Sequence, residues 1–538
     1  MSKTPTKSVR LRRLLESGYL PKELPPPFVS HDFGRFRKYL EKSWPADGLQ
    51  FPKTIYENFS IPKFNGTRKK LAIINPTSYF LIAREIAYNW IEIKDHLRTS
   101  TISEFKPVFD TKGSRALYDI DFSHIEHRLA ELHSVYPSVL RSDISRFFPS
   151  IYTHTIAWAM HGKLWCKQNL YNPVFKNSIG NRLDNFVRKG QDQQSIGIPI
   201  GPDTSRILGE IIGIGIEKEL ALALPQLDER ALRYVDDVAI GFDSTESSEG
   251  IQAALMRSLA EFSLDINVEK TRVSGVGERL VPDWIHTLNS YSVSRRTKDK
   301  RTVIRSFFQN VLFLSQENDR DNVITYAVKR SRSFFIDDES WPYYESLLFR
   351  VIRKKSEAIP AVCQILIESK HKGRPVSLIK AEKFISDAIR AHAPLHHEME
   401  VAWSLFLAKA LRIQVKRNDL ELVARMTSSV CALITLDLNS RALVETMPDI
   451  TNWLSFANDA GLTSELWLFV YEATLKGWIQ KQVPCFVENH ALFGPMIKKK
   501  ISFYDPDKNV SSTKKELRIS RLELLRLHFM MRHIDEYF

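Results

Sequence analysis

Two adjacent aspartates between apolar runs are the residues of this sequence best suited to chemistry. Asp236 and Asp237 follow the run Ala231–Val235 and precede Val238–Phe242, and both runs are rich in β-forming residues. This pattern predicts a β-hairpin with the aspartate pair at its turn. Two like charges beside apolar strands are costly unless a cation neutralises them, and hard cations such as Mg2+ prefer oxygen ligands. The alternative is a solvated turn, because aspartate is a common turn residue.

A third carboxylate lies upstream, at Asp143. Together with the aspartate pair, a carboxylate at the end of a strand could hold two metal ions for in-line phosphoryl transfer. The alternative is that Asp143 caps a helix beginning at Ile144. The segment around Asp143 is apolar on both sides: Val135, Val139, Leu140, Phe147, Phe148, Ile151.

These two segments resemble motifs A and C of reverse transcriptases. Between them, residues 197–212 resemble motif B, a glycine-containing loop that leads into a helix under the template and the nascent base pair. After the hairpin, residues 262–271 resemble motif D, with its Asn-x-x-Lys-Thr ending. The four matches follow the order of the family and cover about residues 60 to 290.

The motif B loop departs from the pattern of many retroelement enzymes. Ile200 stands where those enzymes carry glutamine in a Pro-Gln-Gly loop. The Pro-Ile-Gly-Pro version resembles bacterial abortive-infection and defence-associated, antiphage reverse transcriptases, which join a polymerase core to a C-terminal helical repeat domain. The resemblance therefore implies an α/β (α+β) fingers–palm core of reverse-transcriptase type, followed by an all-α, HEAT-like repeat domain.

The resemblance implies a catalytic centre built from three carboxylates. Asp143, Asp236 and Asp237 would be catalytic and would hold two Mg2+ ions, or Mn2+, together with the backbone carbonyl of Ile144. Phe148, five residues after Asp143, matches an aromatic that stacks under the sugar and excludes a 2′-hydroxyl, which favours dNTPs. The alternative for Phe148 is packing in the core beside its neighbour.

Motifs B and D supply further implied contacts. Pro199, Gly201 and Lys270 are implied to bind the nucleotide. Ser205 and Arg206 open the motif B helix and are implied contacts of the template or the nucleotide. For these two residues the alternative is helix capping and packing.

A basic turn upstream resembles the fingers hairpin of reverse transcriptases. Residues 63–70 contain a turn signal rich in lysine and arginine, and the apolar run Leu71–Ile74 follows. In the family a basic residue of this hairpin contacts the incoming triphosphate. Arg68, Lys69 and Lys70 are equally good matches to that position. The alternative is a charged, solvent-exposed hairpin.

Length and composition set the domain plan. A chain of 538 residues is too long for one core, and the net charge of +13 suits a polyanionic partner. We predict a basic N-terminal arm and linker over 1–55, fingers and palm over 56–295, and a helical repeat domain over 296–538. The four cysteines form no metal-binding or disulfide pattern. No apolar run is long enough to span a membrane, and a cytoplasmic protein is expected.

Helical periodicity dominates outside the motifs. We predict helical structure over 77–97, one helix each over 125–135 and 152–168, a loop over 177–194, and a primer-gripping hairpin at 281–286. A charged break at 295–301 marks the domain boundary. Beyond it the predicted helices are Val303–Ser315, Tyr343–Arg353, Ala361–Ser369, Ser377–Ala391, Glu398–Ile413, Leu420–Ile434, Ser464–Trp478 and Leu517–Arg532.

The expected function is DNA synthesis by two-metal nucleotidyl transfer, RNA-directed or template-independent, in bacterial antiphage defence. Expected partners are dNTPs and RNA or single-stranded DNA, a noncoding RNA among them, and a homo-oligomer is compatible with helical repeats. The alternatives are a retron or group II intron-like reverse transcriptase and a non-catalytic RNA-binding scaffold. Priming on a protein hydroxyl stays open, and the sequence does not choose among the tyrosines of the helical half: Tyr326, Tyr343, Tyr344, Tyr471, Tyr504, Tyr537.

Overall fold

Two antiparallel sheets form the β structure of the protein. The computed structural model describes residues 4–63, 66–118, 122–243, 246–279, 281–480 and 485–510. A two-stranded hairpin precedes a four-stranded sheet whose strand order is β4-β5-β3-β6. The predicted mixture of helices and strands is therefore confirmed. The strands are β1 (Glu57–Pro62), β2 (Arg68–Ile73), β3 (Ser138–Asp143), β4 (Ala231–Tyr234), β5 (Asp237–Phe242) and β6 (Arg272–Gly275).

In the part of the chain that the structure describes, three α-helices precede the first strand: α1 (Lys7–Ser17), α2 (His31–Arg35) and α3 (Arg37–Ser43). The apolar side chains of α1, including Leu11 and Leu14, are buried. Arg10 and Arg13 of the same helix are buried too, and they donate to the backbone carbonyls of Ala87 and Asp110. The described part of the predicted arm is thus folded onto the core, because α1 is amphipathic and its arginines find acceptors.

Helices make up most of the rest of the first half of the chain. Gly162 has a φ of 87° and divides the predicted helix 152–168 into two. The segment predicted as a loop is the helix α11, because its apolar residues, Leu183 and Phe186 among them, lie on one buried face. The predicted hairpin at 281–286 is also helical. These helices are α4 (Pro76–Tyr88), α5 (Trp90–Leu97), α6 (Phe122–Val135), α7 (Phe147–Ser150), α8 (Thr155–His161), α9 (Lys163–Gln168), α10 (Pro173–Lys176), α11 (Ile179–Lys189), α12 (Asp203–Ala223), α13 (Leu227–Arg230), α14 (Ser248–Ala260) and α15 (Asp283–Asn289).

The second half stacks helices in two layers, as a solenoid does. Helices α16, α18, α20 and α22 follow one another in one layer, and α17, α19, α21, α23 and α25 in the other. The predicted helix Leu420–Ile434 is two helices, and the predicted helix Leu517–Arg532 lies outside the described residues. The bounds are α16 (Lys300–Glu317), α17 (Val323–Ser331), α18 (Trp341–Lys354), α19 (Ile359–His371), α20 (Leu378–His392), α21 (Glu398–Leu411), α22 (Arg417–Ala424), α23 (Ser429–Ser440), α24 (Thr451–Leu454), α25 (Trp467–Lys476), α26 (Phe486–Asn489) and α27 (Phe493–Lys498).

The hairpin β1–β2 packs against the second of these layers. The backbone N–H of Ser60 donates to Glu398 of α21 at 3.1 Å, and the backbone N–H of Ser429 donates to Glu57 of β1 at 2.6 Å. Trp467 of α25 donates to the carbonyl of Ile73 at 3.3 Å. Apolar residues from both halves belong to one continuous buried cluster. Within the described ranges, no helix combines the length and apolarity needed to cross a bilayer.

Candidate active site

The sheet brings the three predicted carboxylates together. Asp143 ends β3 and lies opposite Asp237, the first residue of β5, in the antiparallel register. Asp236 is in the turn between β4 and β5, and its carbonyl accepts from the N–H of Ile144 at 3.1 Å. One oxygen from each of the three carboxylates lies within 4.8 Å of the other two. Asp143 and Asp236 are buried, and Asp237 is half-buried.

A buried ion-pair network holds the turn that carries Asp236. Val235 has a φ of 57°, a left-handed conformation that is costly for a β-branched residue. Arg233 donates to the carbonyl of Val235 at 3.0 Å and pairs with Glu210 and Glu217 of α12 at 2.7 and 2.5 Å. The network thus ties the strained turn to the long helix behind the sheet.

The local electrostatics favour a cation beside Asp143. Burial, and next the charge of Asp237, raise the pKa of Asp143 to about 7. Lys270 and Asn267 oppose this shift, donating to the two carboxylate oxygens at 3.4 and 3.3 Å. Three clustered carboxylates are an all-oxygen donor set of the kind that Mg2+ and Mn2+ prefer. The residues present therefore fit the expected metal ions.

A cavity of about 1040 Å3 opens beside the carboxylates. Asp143 and Asp237 are in its wall, and the N-terminal segment around Pro25 and helices α17 and α19 close its other sides. Among the described residues that line it, lysines and arginines outnumber aspartates and glutamates. The basic residues come from both halves of the chain and include Lys69, Arg141, Lys270, Arg272, Arg320 and Lys329.

The three basic residues predicted for the fingers hairpin have different surroundings. Lys69 is buried and lines the cavity. Arg68 points to the helical half, where it pairs with both oxygens of Glu400, at 2.5 and 2.8 Å. Lys70 is exposed. Of the three, Lys69 is the one that the structure brings to the cavity.

The motif B loop packs inside the protein. The carbonyl of Ile200 accepts from the N–H of Ala72 in β2 at 2.8 Å, and Pro199 is buried. Gly201 has a φ of 125°, and a Cβ there would lie 2.9 Å from the side chain of Pro21. The loop is therefore held between the fingers hairpin and the N-terminal segment.

Three other predicted contacts are also buried. Ser205 donates to the carbonyl of Pro199 at 2.5 Å, and the guanidinium of Arg206 lies 4.6 Å from the ring centre of Phe105. Phe148 packs on the ring of Phe147. These three residues are not among the described residues that line the cavity. Their contacts match the packing alternatives, and their nucleotide or template roles stay predictions.

The tyrosines of the helical half are mostly in its interior. Tyr326, Tyr344, Tyr471 and Tyr504 are buried, and burial raises the pKa of each of them. Tyr343 is half-buried, and Tyr537 lies outside the described residues. The structure does not bring a tyrosine of this group to the described cavity wall.

Sequence reasoning missed the residues that support the site. Arg233 and its partners were absent from the prediction, although an arginine inside an apolar strand is a usable signal. Asp203 accepts from Arg115 at 2.8 Å and from the N–H of Ala116 at 2.9 Å, which anchors the start of α12. Asp203 is 88 residues from Arg115 in the sequence, and no local pattern predicts this contact.

Comparison with protein-family models and with curated proteins assigns this site to no family. No family model matches the chain, and no curated protein matches it.

Proposed function

We propose that this protein is a DNA polymerase of reverse-transcriptase type that works by two-metal nucleotidyl transfer. The observation that supports this proposal is the cluster formed by Asp143, Asp236 and Asp237 beside a large basic cavity, with Asp143 and Asp237 in the cavity wall. The resemblance of four segments to reverse-transcriptase motifs, in the order of the family, supports the interpretation of these aspartates as metal ligands of a polymerase. The Pro-Ile-Gly-Pro loop supports a role in bacterial antiphage defence.

The three aspartates and the carbonyl of Ile144 would hold the metal ions. When bound, Mg2+ or Mn2+ supplies activation of a hydroxyl nucleophile and charge stabilisation of the pyrophosphate. Lys270 lies at Asp143 and Lys69 lies in the cavity wall, so both can offset the charge of a triphosphate. The buried network around Arg233 keeps the turn in place, so little reorganisation is needed during the reaction.

Nucleic acid is the proposed macromolecular partner. The cavity wall carries basic residues on the palm side, such as Arg141 and Arg272, and on the helical side, such as Arg320 and Lys329. Cations on two facing walls suit a phosphate backbone. RNA and single-stranded DNA are both proposed ligands, and the template requirement is decided by the assay below.

The test is incorporation of each labelled dNTP by purified protein with Mg2+, first without added nucleic acid and then with a primed RNA template. Asp236→Asn/Asp237→Asn should abolish incorporation, since the metal-binding charge is removed. Asp228→Asn is the matched control, because Asp228 is exposed on α13, and it should retain full activity.

The product distinguishes the modes of synthesis. Product that migrates with the protein until proteolysis indicates protein priming, and activity only with the primed RNA indicates conventional reverse transcription. Absence of incorporation under every condition would contradict the polymerase proposal and favour an RNA-binding scaffold.

A further inference from the structure

A second group of metal-binding side chains lies where α20 meets α21. His392 is the last residue of α20, His397 directly precedes α21, and Glu400 is in the first turn of α21. The N–H of His397 donates to the carbonyl of His392 at 3.1 Å, which closes the short connection. None of the three is among the described residues that line the catalytic cavity. The group is therefore separate from the aspartate cluster.

The ligand atoms have the spacing of a metal site. The Nδ1 atoms of His392 and His397 are 3.1 Å apart, and they lie 4.0 and 3.9 Å from Oε1 of Glu400. The point equidistant from these atoms lies about 2.2 Å from each, close to zinc–nitrogen and zinc–carboxylate bond lengths of about 2.0–2.2 Å. An ion can therefore bind all three atoms with only small side-chain movements.

The surroundings orient the carboxylate and leave the imidazoles accessible. Glu400 is fully buried, and Arg68 donates to both of its oxygens, to Oε1 at 2.5 Å and to Oε2 at 2.8 Å. Ser356 also donates to Oε1, at 3.1 Å. The two histidine side chains are 24% and 21% exposed, which leaves an entry path and room for a water ligand.

We propose that His392, His397 and Glu400 bind one divalent transition-metal ion of the zinc class. Two imidazole nitrogens and one carboxylate suit Zn2+ and disfavour Mg2+, which prefers oxygen ligands. Without the ion, one Nδ1–H donates to the other Nδ1. On binding, the donor histidine changes tautomer, with its proton moving through solvent from Nδ1 to Nε2. Both Nδ1 atoms then bind the ion, and Oε1 exchanges its hydrogen bonds from Arg68 and Ser356 for the metal.

The ion would fasten the junction between the two halves of the chain. Arg68 belongs to β2 of the fingers hairpin and keeps its contact with Oε2 when Oε1 binds the metal. Such a partner orients the ligating carboxylate. The site thus links the fingers hairpin to the solenoid through Glu400.

The experiment measures the metal content of full-length protein without a histidine tag. The protein is incubated with Zn2+, then passed through gel filtration in excess Mg2+, and zinc is quantified by mass spectrometry. We expect one equivalent per chain, also in Asp236→Asn/Asp237→Asn, which removes the catalytic carboxylates. His392→Ala and His397→Ala should each lose more than tenfold in zinc affinity.

His396→Asn is the matched control, because His396 is exposed, and asparagine tolerates its left-handed φ of 52°. This variant should keep its zinc. Wild-type protein that retains no zinc would overturn the proposal, as would equal loss in His396→Asn. If the alanine variants do not fold, the visible absorption of Co2+-loaded wild type decides: absence of a saturable band at one equivalent also contradicts the site. Loss of polymerase activity has no bearing on this readout.

Discussion

Arg233 is 1% exposed, and both of its ion-pair partners are carboxylates of α12 that are also buried. The two acidic partners, Glu210 and Glu217, are 1% and 6% exposed, so bulk solvent has little access to replace the guanidinium if it is lost. Removal of Arg233 would leave both glutamates without a counter-charge, and an uncompensated buried charge strongly destabilises the fold. At the scale of single residues, the turn that carries Asp236 therefore depends on a side chain outside the carboxylate cluster.

Arg233→Met should lower the free energy of unfolding by about 3–5 kcal/mol, since it leaves two buried carboxylates without their cation. The measurement is denaturant unfolding, followed by the incorporation assay. Arg353→Met is the control, because Arg353 is 49% exposed and pairs with Asp387 at the surface. Its loss should cost less than about 1 kcal/mol. Equal effects of the two substitutions would contradict the importance of the network.

Lys69, Arg68 and Lys70 should respond differently to replacement by alanine. Lys69→Ala should reduce kcat/KM for dNTPs by about 10–100-fold, because a charge-assisted contact contributes about 1.5–3 kcal/mol. Arg68→Ala should lower the melting temperature, since Glu400 loses its cation. Lys70→Ala should behave as wild type. Steady-state kinetics and thermal unfolding of the three variants check this, and loss of activity confined to Lys70→Ala would refute it.

At the scale of elements, the parts of the site with local signals were predicted from the sequence. The hairpin β4–β5 follows from two apolar runs around the aspartates, and α12 follows from its helical period after the motif B loop. The partner of Arg68 could not be predicted, because Glu400 is 332 residues away. The helix α11 was not predicted because polar residues are the majority over 177–194, so the helical spacing of its four buried apolar residues was not recognised.

The contact between β1 and α23 contains a buried carboxyl group, that of Glu57. Burial raises the pKa of Glu57 to about 8, and the charge of Glu398 adds to the shift. Between the unfolded value of 4.5 and 8, the folded protein keeps a proton that the unfolded chain releases. The stabilisation is therefore complete below pH 4.5 and is lost as the pH rises through 8.

Glu57→Gln should remove this dependence, because the amide stays neutral and its oxygen can still accept from Ser429. A shift of this size corresponds to an effect on the order of 3–5 kcal/mol. The variant should have a higher melting temperature than wild type at pH 9, and the difference should shrink toward pH 5. Glu92→Gln, at an exposed position of α5, is the control. A constant difference at all pH values would argue against Glu57 as the titrating group.

At the scale of the whole molecule, the predicted boundary near residue 295 is a connection between helices rather than a division between independent cores. The segment from Ser290 to Asp299 joins α15 to α16. Contacts nevertheless cross between the halves at the fingers hairpin, at Trp403, which donates to the carbonyl of Glu23, and at Phe503, whose carbonyl accepts from Val29. If the two halves were separated, polar and apolar groups that are now buried at their contact would be exposed in both.

Residues 1–295 expressed alone should be insoluble or lack cooperative unfolding, whereas full-length protein cut at a protease site inserted at Thr297 should stay together. Gel filtration and calorimetry before and after cleavage test this expectation. Uncut protein with the same insertion is the control. Separation of the two fragments after cleavage under native conditions would show that the shared core contributes little.

The bridge between Phe28 and Tyr504 also has a consequence for biosynthesis. Beside this bridge, the carbonyl of Pro27 accepts from the N–H of Asp505. The ribosome synthesises Phe28 long before Tyr504, although the two residues are in contact in the folded protein. At about 5–20 residues per second, a ribosome needs roughly half a minute or more to reach the second residue after the first. During that interval the N-terminal segment that closes one side of the large cavity lacks its final partner. The nascent chain is therefore expected to acquire its complete cavity only after Tyr504 has been synthesised.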